Sequence, residues 1–437
     1  MSVNQSLKPI TTEIINNQIH IGGCSLTELA KKYGTPLYVI DEHTLRSICN
    51  DYKNAFKDYK NIKMMYASKA LCTSAVVRIL DEEGFGFDAV SAGELYTIYK
   101  SGVNMTKVLF NGNNKSAREI ELALNYGVGR FSVDNFYEAE LLNKIAAEKN
   151  ISADILLRIT PGIECHTHDY IQTGQTDSKF GFDLTQLNEI VSLIINKYDN
   201  LNLKGLHAHI GSQIFELQSF YDEVAILVKE ISEINKTFGL KLDEMNIGGG
   251  LGVKYTNSDN PPNTIDLAKA VTDAMHKYSV EIPTIYLEPG RSIISTAGVT
   301  LYTAGSSKQV PDGKKYIAVD GGMADNPRPS MYQAKYYAEK AKNPDSDKKE
   351  TVTIAGRYCE SGDILIEDIE LPVIKEGDII CIYNTGAYNY SMASNYNRVE
   401  KSAMVLVNNS QSDIIINRET LDDLISHDSI PDRLRKQ

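Results

Sequence analysis

Four stretches far apart in this chain carry residue types that fit one chemistry. They are Lys69, ending the run Lys63-Met64-Met65-Tyr66-Ala67-Ser68-Lys69, the pair His207 and His209 followed by Gly211-Ser212, the glycine run Gly248-Gly249-Gly250-Leu251-Gly252, and Glu288-Pro289-Gly290-Arg291. An amine forms an imine with an aldehyde, an imidazole lies flat against an aromatic ring, glycine amides surround a phosphate, and a carboxylate accepts a proton-bearing ring nitrogen. Together these groups are what a protein needs to hold pyridoxal 5'-phosphate (PLP), with Lys69 as the amine that takes the aldehyde. Each alone has an ordinary explanation. A lysine at a strand end is usually solvated, alternate histidines occur in metal sites and in hydrogen-bonded cores, and a glycine run is often only a turn. No third ligand converges on the histidines, so no metal is expected. The glycine run lacks the Lys-Ser/Thr ending of a P-loop and the spacing of the dinucleotide fingerprint, which leaves a phosphate cradle, helped by Ser212 and the Gly290-Arg291 amides.

Eight short strand-like runs must position these residues: 63–67, 85–90, 108–111, 131–134, 154–160, 203–210, 244–247 and 284–287. Between them lie amphipathic segments such as 91–99, 116–125, 135–149 and 217–238, with apolar residues at three- and four-residue steps. Eight such alternations predict a TIM-like (β/α)8 barrel over 36–295, and Lys69, Asp88, Asn111, His209, Gly248 and Glu288 then fall at the carboxyl ends of strands, where barrel sites are built. After residue 295 the runs 316–320, 350–355, 363–371 and 378–383 are short, β-rich and separated by turn residues. They predict a second, mainly antiparallel β-domain from 296–437 and 1–35, which a strand over 14–21 joins. The polar stretch 339–349 reads as a loop.

With 437 residues, two domains are the default, and 42% apolar residues suffice for full cores. A formal charge of -12 with no basic block argues against nucleic acid as a partner. No run reaches the length of a membrane span, and the first thirty residues lack the apolar centre of a signal peptide, so a cytoplasmic protein with no membrane partner is expected. The six cysteines lack paired spacing and read as reduced thiols, with only Cys359 among polar residues that could give it a role. Arg291 and Arg328 supply forks suited to a carboxylate beyond the reacting one, which implies a substrate with acid at both ends.

The four stretches, with Phe87-Asp88 and Ser91-Ala92-Gly93-Glu94, resemble the fold-type III PLP-dependent decarboxylases. Further motifs are similar to those of the diaminopimelate decarboxylase family: Gly174-Gln175 with Ser178-Lys179-Phe180-Gly181, Asp325-Asn326-Pro327-Arg328-Pro329 with Tyr332, Gly356 to Asp363, and Gly386-Ala387-Tyr388 with Ser391 to Asn397. The resemblance covers nearly the whole chain and implies the alanine racemase and ornithine decarboxylase arrangement of barrel plus β-domain. It implies that His209 stacks on PLP, that Glu288 meets the pyridine nitrogen, and that Asp88, Ser212, Gly248, Gly249, Gly250, Glu288, Pro289, Gly290, Arg291 and Tyr388 line the cofactor. Glu288 separates decarboxylases from the racemases of the same fold type, since a carboxylate there keeps the nitrogen protonated.

The resemblance further implies that Arg291, Arg328 and Tyr332, with Tyr388, hold the distal carboxylate of meso-diaminopimelate, that Glu360 meets its distal ammonium, and that Cys359 donates a proton. Cys359 and Glu360 would reach the partner chain's cofactor, giving a homodimer with shared sites. The product would be L-lysine. The alternatives are a related basic amino-acid or carboxynorspermidine decarboxylase, and a noncatalytic PLP-binding homologue, which would be expected to lack Lys69 or Cys359. The segment from His166 to Phe182 reads as a loop that closes over substrate. Asn389-Tyr390 departs from the family pattern, where smaller residues stand.

Overall fold

The computed structural model describes residues 2–59, 61–163, 178–277, 282, 284–311 and 313–435. Contacts divide the chain into two compact units, Met1–Ile10 with Thr44–Thr296 and Thr11–His43 with Ala297–Gln437.

The first unit is a closed barrel of eight parallel strands. These are β1 (Ile62–Ala67), β2 (Gly86–Ala89), β3 (Val108–Phe110), β4 (Arg130–Val133), β5 (Ala153–Thr160), β6 (Leu201–His207), β7 (Glu244–Asn246) and β8 (Thr284–Leu287). Each pairs with the next, and β8 returns to β1 through Leu287 opposite Met64. Burial on both faces explains why these strands read as continuous apolar runs rather than as alternations: β2 and β3 are buried at every residue. Met65, Leu109, Leu156 and Tyr286 pack together in the core.

The helices after β2, β3 and β4 start at Ala92, Ala117 and Phe136, one residue later than the amphipathic pattern suggests. The reason is capping. Ser91, Ser116 and Asn135 stay extended so that each side chain can accept the N–H three residues on, from Glu94, Glu119 and Glu138. The long helix Leu217–Phe238 buries Phe220, Val224, Leu227, Val228, Ile231 and Ile234, an apolar stripe at helical spacing.

The second unit is built on the strand Gly298–Gln309. Its first half pairs antiparallel with Leu37–Asp41 on one side and Ile379–Tyr383 on the other, and beyond a register shift its second half pairs with Lys315–Val319. Lys349–Ala355, Ile364–Pro372, Ala403–Asn408 and Gln411–Ile416 extend the sheet, and two of its pairings are parallel. Leu37, Val39, Val299, Leu301, Cys381, Tyr383 and Val405 share one core with Ile19, Ile21 and Leu26.

Three sequence expectations change here. The boundary does not fall at residue 36: Leu37–Asp41, buried throughout, lies between two strands of the second unit, whereas Asn4 Nδ2 donates to Gly252 O at 3.0 Å and to Pro262 O at 2.8 Å within the first. The stretch 14–21 is not one strand. It is a hairpin, Glu13–Ile15 against Gln18–Ile21, because Asn16 and Asn17 both take the left-handed conformation that a tight two-residue turn requires. Ala338–Lys340 is a strand rather than loop, pairing with Ile379–Tyr383, and Glu339 accepts hydrogen bonds from the Tyr337 and Tyr383 hydroxyls. Among the described residues no helix is long and apolar enough to cross a membrane.

Candidate active site

Lys69 stands on a single helical turn, Ser68–Ala70, directly after β1, exposed while both neighbours are buried. The turn after β8 is drawn against it: Ala67 N–H donates to Pro289 O at 3.2 Å, and a Cβ on Gly290 would lie 3.0 Å from Ala67 Cβ. Lys69 and the Glu288–Arg291 motif therefore meet at one end of the barrel, as the strand order requires of neighbours β1 and β8.

Glu288 is 6% exposed and still holds its charge. Burial alone would raise its pKa, but His207, whose Nε2 lies 3.4 Å from Oε2, and Asn246 Nδ2, donating to Oε1 at 2.6 Å, hold it well below the usual carboxylate range. His207 is oriented in turn by Ser132 Oγ, 2.7 Å from Nδ1. The neighbouring buried carboxyl, Asp88 at the end of β2, moves the other way, pushed well up by burial and next by the Glu288 charge. Two carboxyls thus share one site and are pushed in opposite directions, Glu288 down and Asp88 up. In the His207/His209 pair, His207 lies between Glu288 Oε2, 3.4 Å from its Nε2, and Ser132 Oγ, 2.7 Å from its Nδ1, and His209 Nδ1 accepts the Gly249 N–H at 3.3 Å. His209 is kept neutral, by burial first and by the Lys69 and Arg158 charges next, so its ring is free of charge at the barrel mouth.

Sequence reading missed Arg158. It sits inside β5, 6% exposed, with Nη1 3.4 Å from Asn111 Oδ1 and 3.9 Å from Asp134 Oδ1, and its guanidinium lies over the Phe180 ring at 4.4 Å. The Asp88 and Glu288 charges act on it as well. Asn246 was missed too, as was Lys115, whose buried ammonium donates to Gly112 O, Ser132 O and Glu138 Oε1 at 2.7–2.8 Å and ties the turn after β3 to β4 and to the helix that follows it.

The glycine run is a tight cradle. Gly248 and Gly250 have φ of 58° and 122°, which side-chain-bearing residues rarely adopt, and a Cβ on Gly249 would stand 2.1 Å from Glu288 O. Gly248 N–H donates to Asn246 Oδ1 at 2.9 Å and Gly249 N–H to His209 Nδ1 at 3.3 Å, so cradle, ring and carboxylate are one bonded assembly. Ser212 joins it through Arg291, which donates to Ser212 Oγ from Nε at 3.2 Å and from Nη2 at 3.1 Å, and to Tyr255 O–H from Nη1 at 2.8 Å. Pro289 and Gly290 form the turn between Glu288 and the short helix Arg291–Ile294. These groups fit PLP on two counts. The cradle brings side-chain-free backbone where a phosphate needs room, and Asp88 Oδ1 is a buried polar atom without a hydrogen bond among the described residues.

In the second unit, Arg328 opens the helix Arg328–Tyr332 and lies 5.5 Å from the Tyr332 ring and 5.8 Å from the Tyr388 ring. Tyr388 takes a left-handed φ of 61°, a conformation rare enough in a bulky residue to mark a constrained position. Cys359 and Glu360 are exposed at the tip of the turn 356–363, steadied by Asn397 Oδ1, which accepts Cys359 N–H at 3.0 Å, and by Tyr396 O–H, 3.3 Å from Glu360 Oε2. Asn389 and Tyr390 are spent on packing: Asn389 is fully buried and receives the Tyr336 hydroxyl, and Tyr390 stands edge-on to Tyr38. Most of the segment expected to close over substrate, 164–177 with His166, His168, Gly174 and Gln175, lies outside the described residues. At its end Phe182–Asp183 pairs with β5, Phe182 opposite Ile159.

Residues 43–295 match the family model described as pyridoxal-dependent decarboxylase, pyridoxal binding domain. A diaminopimelate decarboxylase of Synechocystis sp. is 46% identical over 450 residues, covering 99% of this chain and 95% of that protein. One from Bacillus subtilis is 44% identical over 420 residues, covering 94% and 95%. Among solved structures, a diaminopimelate decarboxylase of M. jannaschii in co-complex with L-lysine is similar with a TM-score of 0.93 at 37% identity, over 100% of both chains.

Proposed function

Because this chain belongs to the diaminopimelate decarboxylases, within the pyridoxal-dependent decarboxylases, we propose that it converts meso-2,6-diaminopimelate to L-lysine and carbon dioxide, the last step of lysine biosynthesis. The observation that carries the reading is Glu288, buried and ionised beside Lys69 at the barrel end. When bound, PLP supplies an electron sink for the pair left behind as carbon dioxide departs. Lys69 Nζ holds its aldehyde, His209 supports the ring, Glu288 keeps the ring nitrogen protonated, Asp88 lines the site, and Ser212, Gly248 to Gly250 and the turn Pro289-Gly290-Arg291 surround the phosphate.

The remaining groups act on the substrate. Arg291, Arg328, Tyr332 and Tyr388 receive the distal carboxylate, and Glu360 receives the distal ammonium, so a substrate with an amino-acid group at each end is preferred over a simple diamine precursor. Cys359 Sγ delivers the proton that replaces carbon dioxide on the α-carbon. Cys359 and Glu360 serve the site of a second copy of the chain, which makes the working enzyme a homodimer.

The test is carbon dioxide release from meso-diaminopimelate, ornithine, arginine and lysine side by side. Release from meso-diaminopimelate alone is the expected result. A comparable kcat/KM on ornithine or arginine would move the assignment to a basic amino-acid decarboxylase, and no release from any of them would leave a PLP-binding homologue.

A further inference from the structure

The turn 356–363 joins the strands Lys349–Ala355 and Ile364–Pro372, and its tip and base differ sharply. Cys359 and Glu360 at the tip are exposed, whereas Asp363 at the base is 3% exposed. Each oxygen of that carboxylate serves a different segment. Oδ2 accepts Tyr358 N–H at 2.8 Å, inside the turn, and Oδ1 accepts Met323 N–H at 2.6 Å, in the stretch leading to Arg328. Two further bonds join the same segments: Arg357 N–H donates to Gly321 O at 2.9 Å, and Ser330 Oγ, on the helix that Arg328 opens, donates to Gly362 O at 2.9 Å.

The packing around the carboxylate leaves no slack. A Cβ on Gly356 would lie 2.1 Å from Asp363 Oδ2, and one on Gly322 would lie 2.4 Å from Oδ1, so the carboxylate rests on bare backbone in both segments. The turn is closed behind it by Gly356 N–H to Asp363 O at 2.9 Å and Asp363 N–H to Glu360 O at 3.1 Å. Backbone amides donating to a buried carboxylate form short, strong bonds with fixed directions. Such a clamp fixes the spacing of whatever the two segments carry.

We propose that Asp363 is a positioning residue for the reaction, its carboxylate holding the turn so that Cys359 and Glu360 stand where the second copy's site needs them. This rests on the roles assigned above to those two groups. Asp363 touches neither substrate nor cofactor; it acts through the two backbone segments it joins.

Asp363→Asn keeps the volume but turns an amide NH2 toward one of the two backbone donors. In the full-length enzyme it is expected to leave the PLP absorbance and the dimer intact, to lower kcat on meso-diaminopimelate 10- to 100-fold and to raise KM several-fold. Subunit exchange then separates positioning from general support. Mixing with Lys69→Ala should restore activity, whereas mixing with Cys359→Ala should restore none, because the Asp363 and Cys359 lesions disable the same half of a shared site. Activity within two-fold of the unaltered enzyme, or restoration with Cys359→Ala, would overturn the proposal. The control pair Lys69→Ala with Cys359→Ala tests the shared site itself; if that pair fails, Asp363 is judged on the kcat and KM changes alone. If Asp363→Asn loses cofactor and dimer, Ser330→Ala decides, since it removes one stitch without touching the buried carboxylate: a several-fold fall in kcat with PLP retained supports the clamp, and unchanged kinetics refutes it.

Discussion

A fully buried carboxylate keeps its charge only if its neighbours stabilise that charge, and Glu288 has His207 and Asn246 for the purpose. Glu288→Gln is therefore expected to retain PLP while slowing turnover by about 10²–10³-fold, about 3–4 kcal/mol of transition-state stabilisation. Unchanged turnover would show that the ring nitrogen's charge is set by another group. Borohydride reduction of the PLP-loaded protein should fix the cofactor on Lys69, read by peptide mass, and a label on any other lysine would remove Lys69 from its assigned role. Lys69, Glu288 and the glycines were legible because their residue types are unusual where they stand. Arg158 carried a signal that was passed over, a lone charge in the run Ile155-Leu156-Leu157-Arg158-Ile159. Asn246 carried none, for its partnership with Glu288 arises only when β7 and β8 lie side by side with Asn246 opposite Tyr286.

At the scale of elements, barrel strands and helices were readable from periodicity to within a residue or two, except that β6 ends at His207 rather than near residue 210. The first hairpin and the strand Leu37–Asp41 were misplaced because local pattern reports that a strand exists and not what it pairs with. Asp325 offers a test of the second unit's packing. Burial pushes its carboxyl up to about 7, opposed by hydrogen bonds from Tyr302 O–H and Gly322 N–H, and its backbone oxygen receives the Tyr38 hydroxyl. A folded pKa above the unfolded value of about 3.9 means that the folded state binds the extra proton, so this contribution is fully present below about pH 4 and is lost as pH rises toward 7. The loss is on the order of 4 kcal/mol across that window. Asp325→Asn should flatten the fall of the unfolding midpoint between pH 4 and 7, and an unchanged slope would place the responsible proton elsewhere.

For the whole molecule, the assignment of Lys69 to one chain and Cys359 to another has a direct readout. Lys69→Ala and Cys359→Ala homodimers should both be poor catalysts, and an equal mixture brought to subunit exchange should recover about one quarter of the unaltered activity, since half of the dimers are mixed and each has one intact site. No recovery, with exchange confirmed by mass, would put both residues in one chain's site. The interleaving of the two units has a different consequence, one that lies in time. The strand Leu37–Asp41 leaves the ribosome early, but its neighbours Gly298–Gln309 and Ala403–Asn408 come much later, the second about 360 residues on. At about 5–20 residues per second, roughly 20–70 s pass between them. The barrel can close in that interval, whereas Leu-Tyr-Val-Ile-Asp waits as an apolar ribbon with both edges open, a segment of the nascent chain that needs shielding from other chains until the carboxyl-terminal strands arrive.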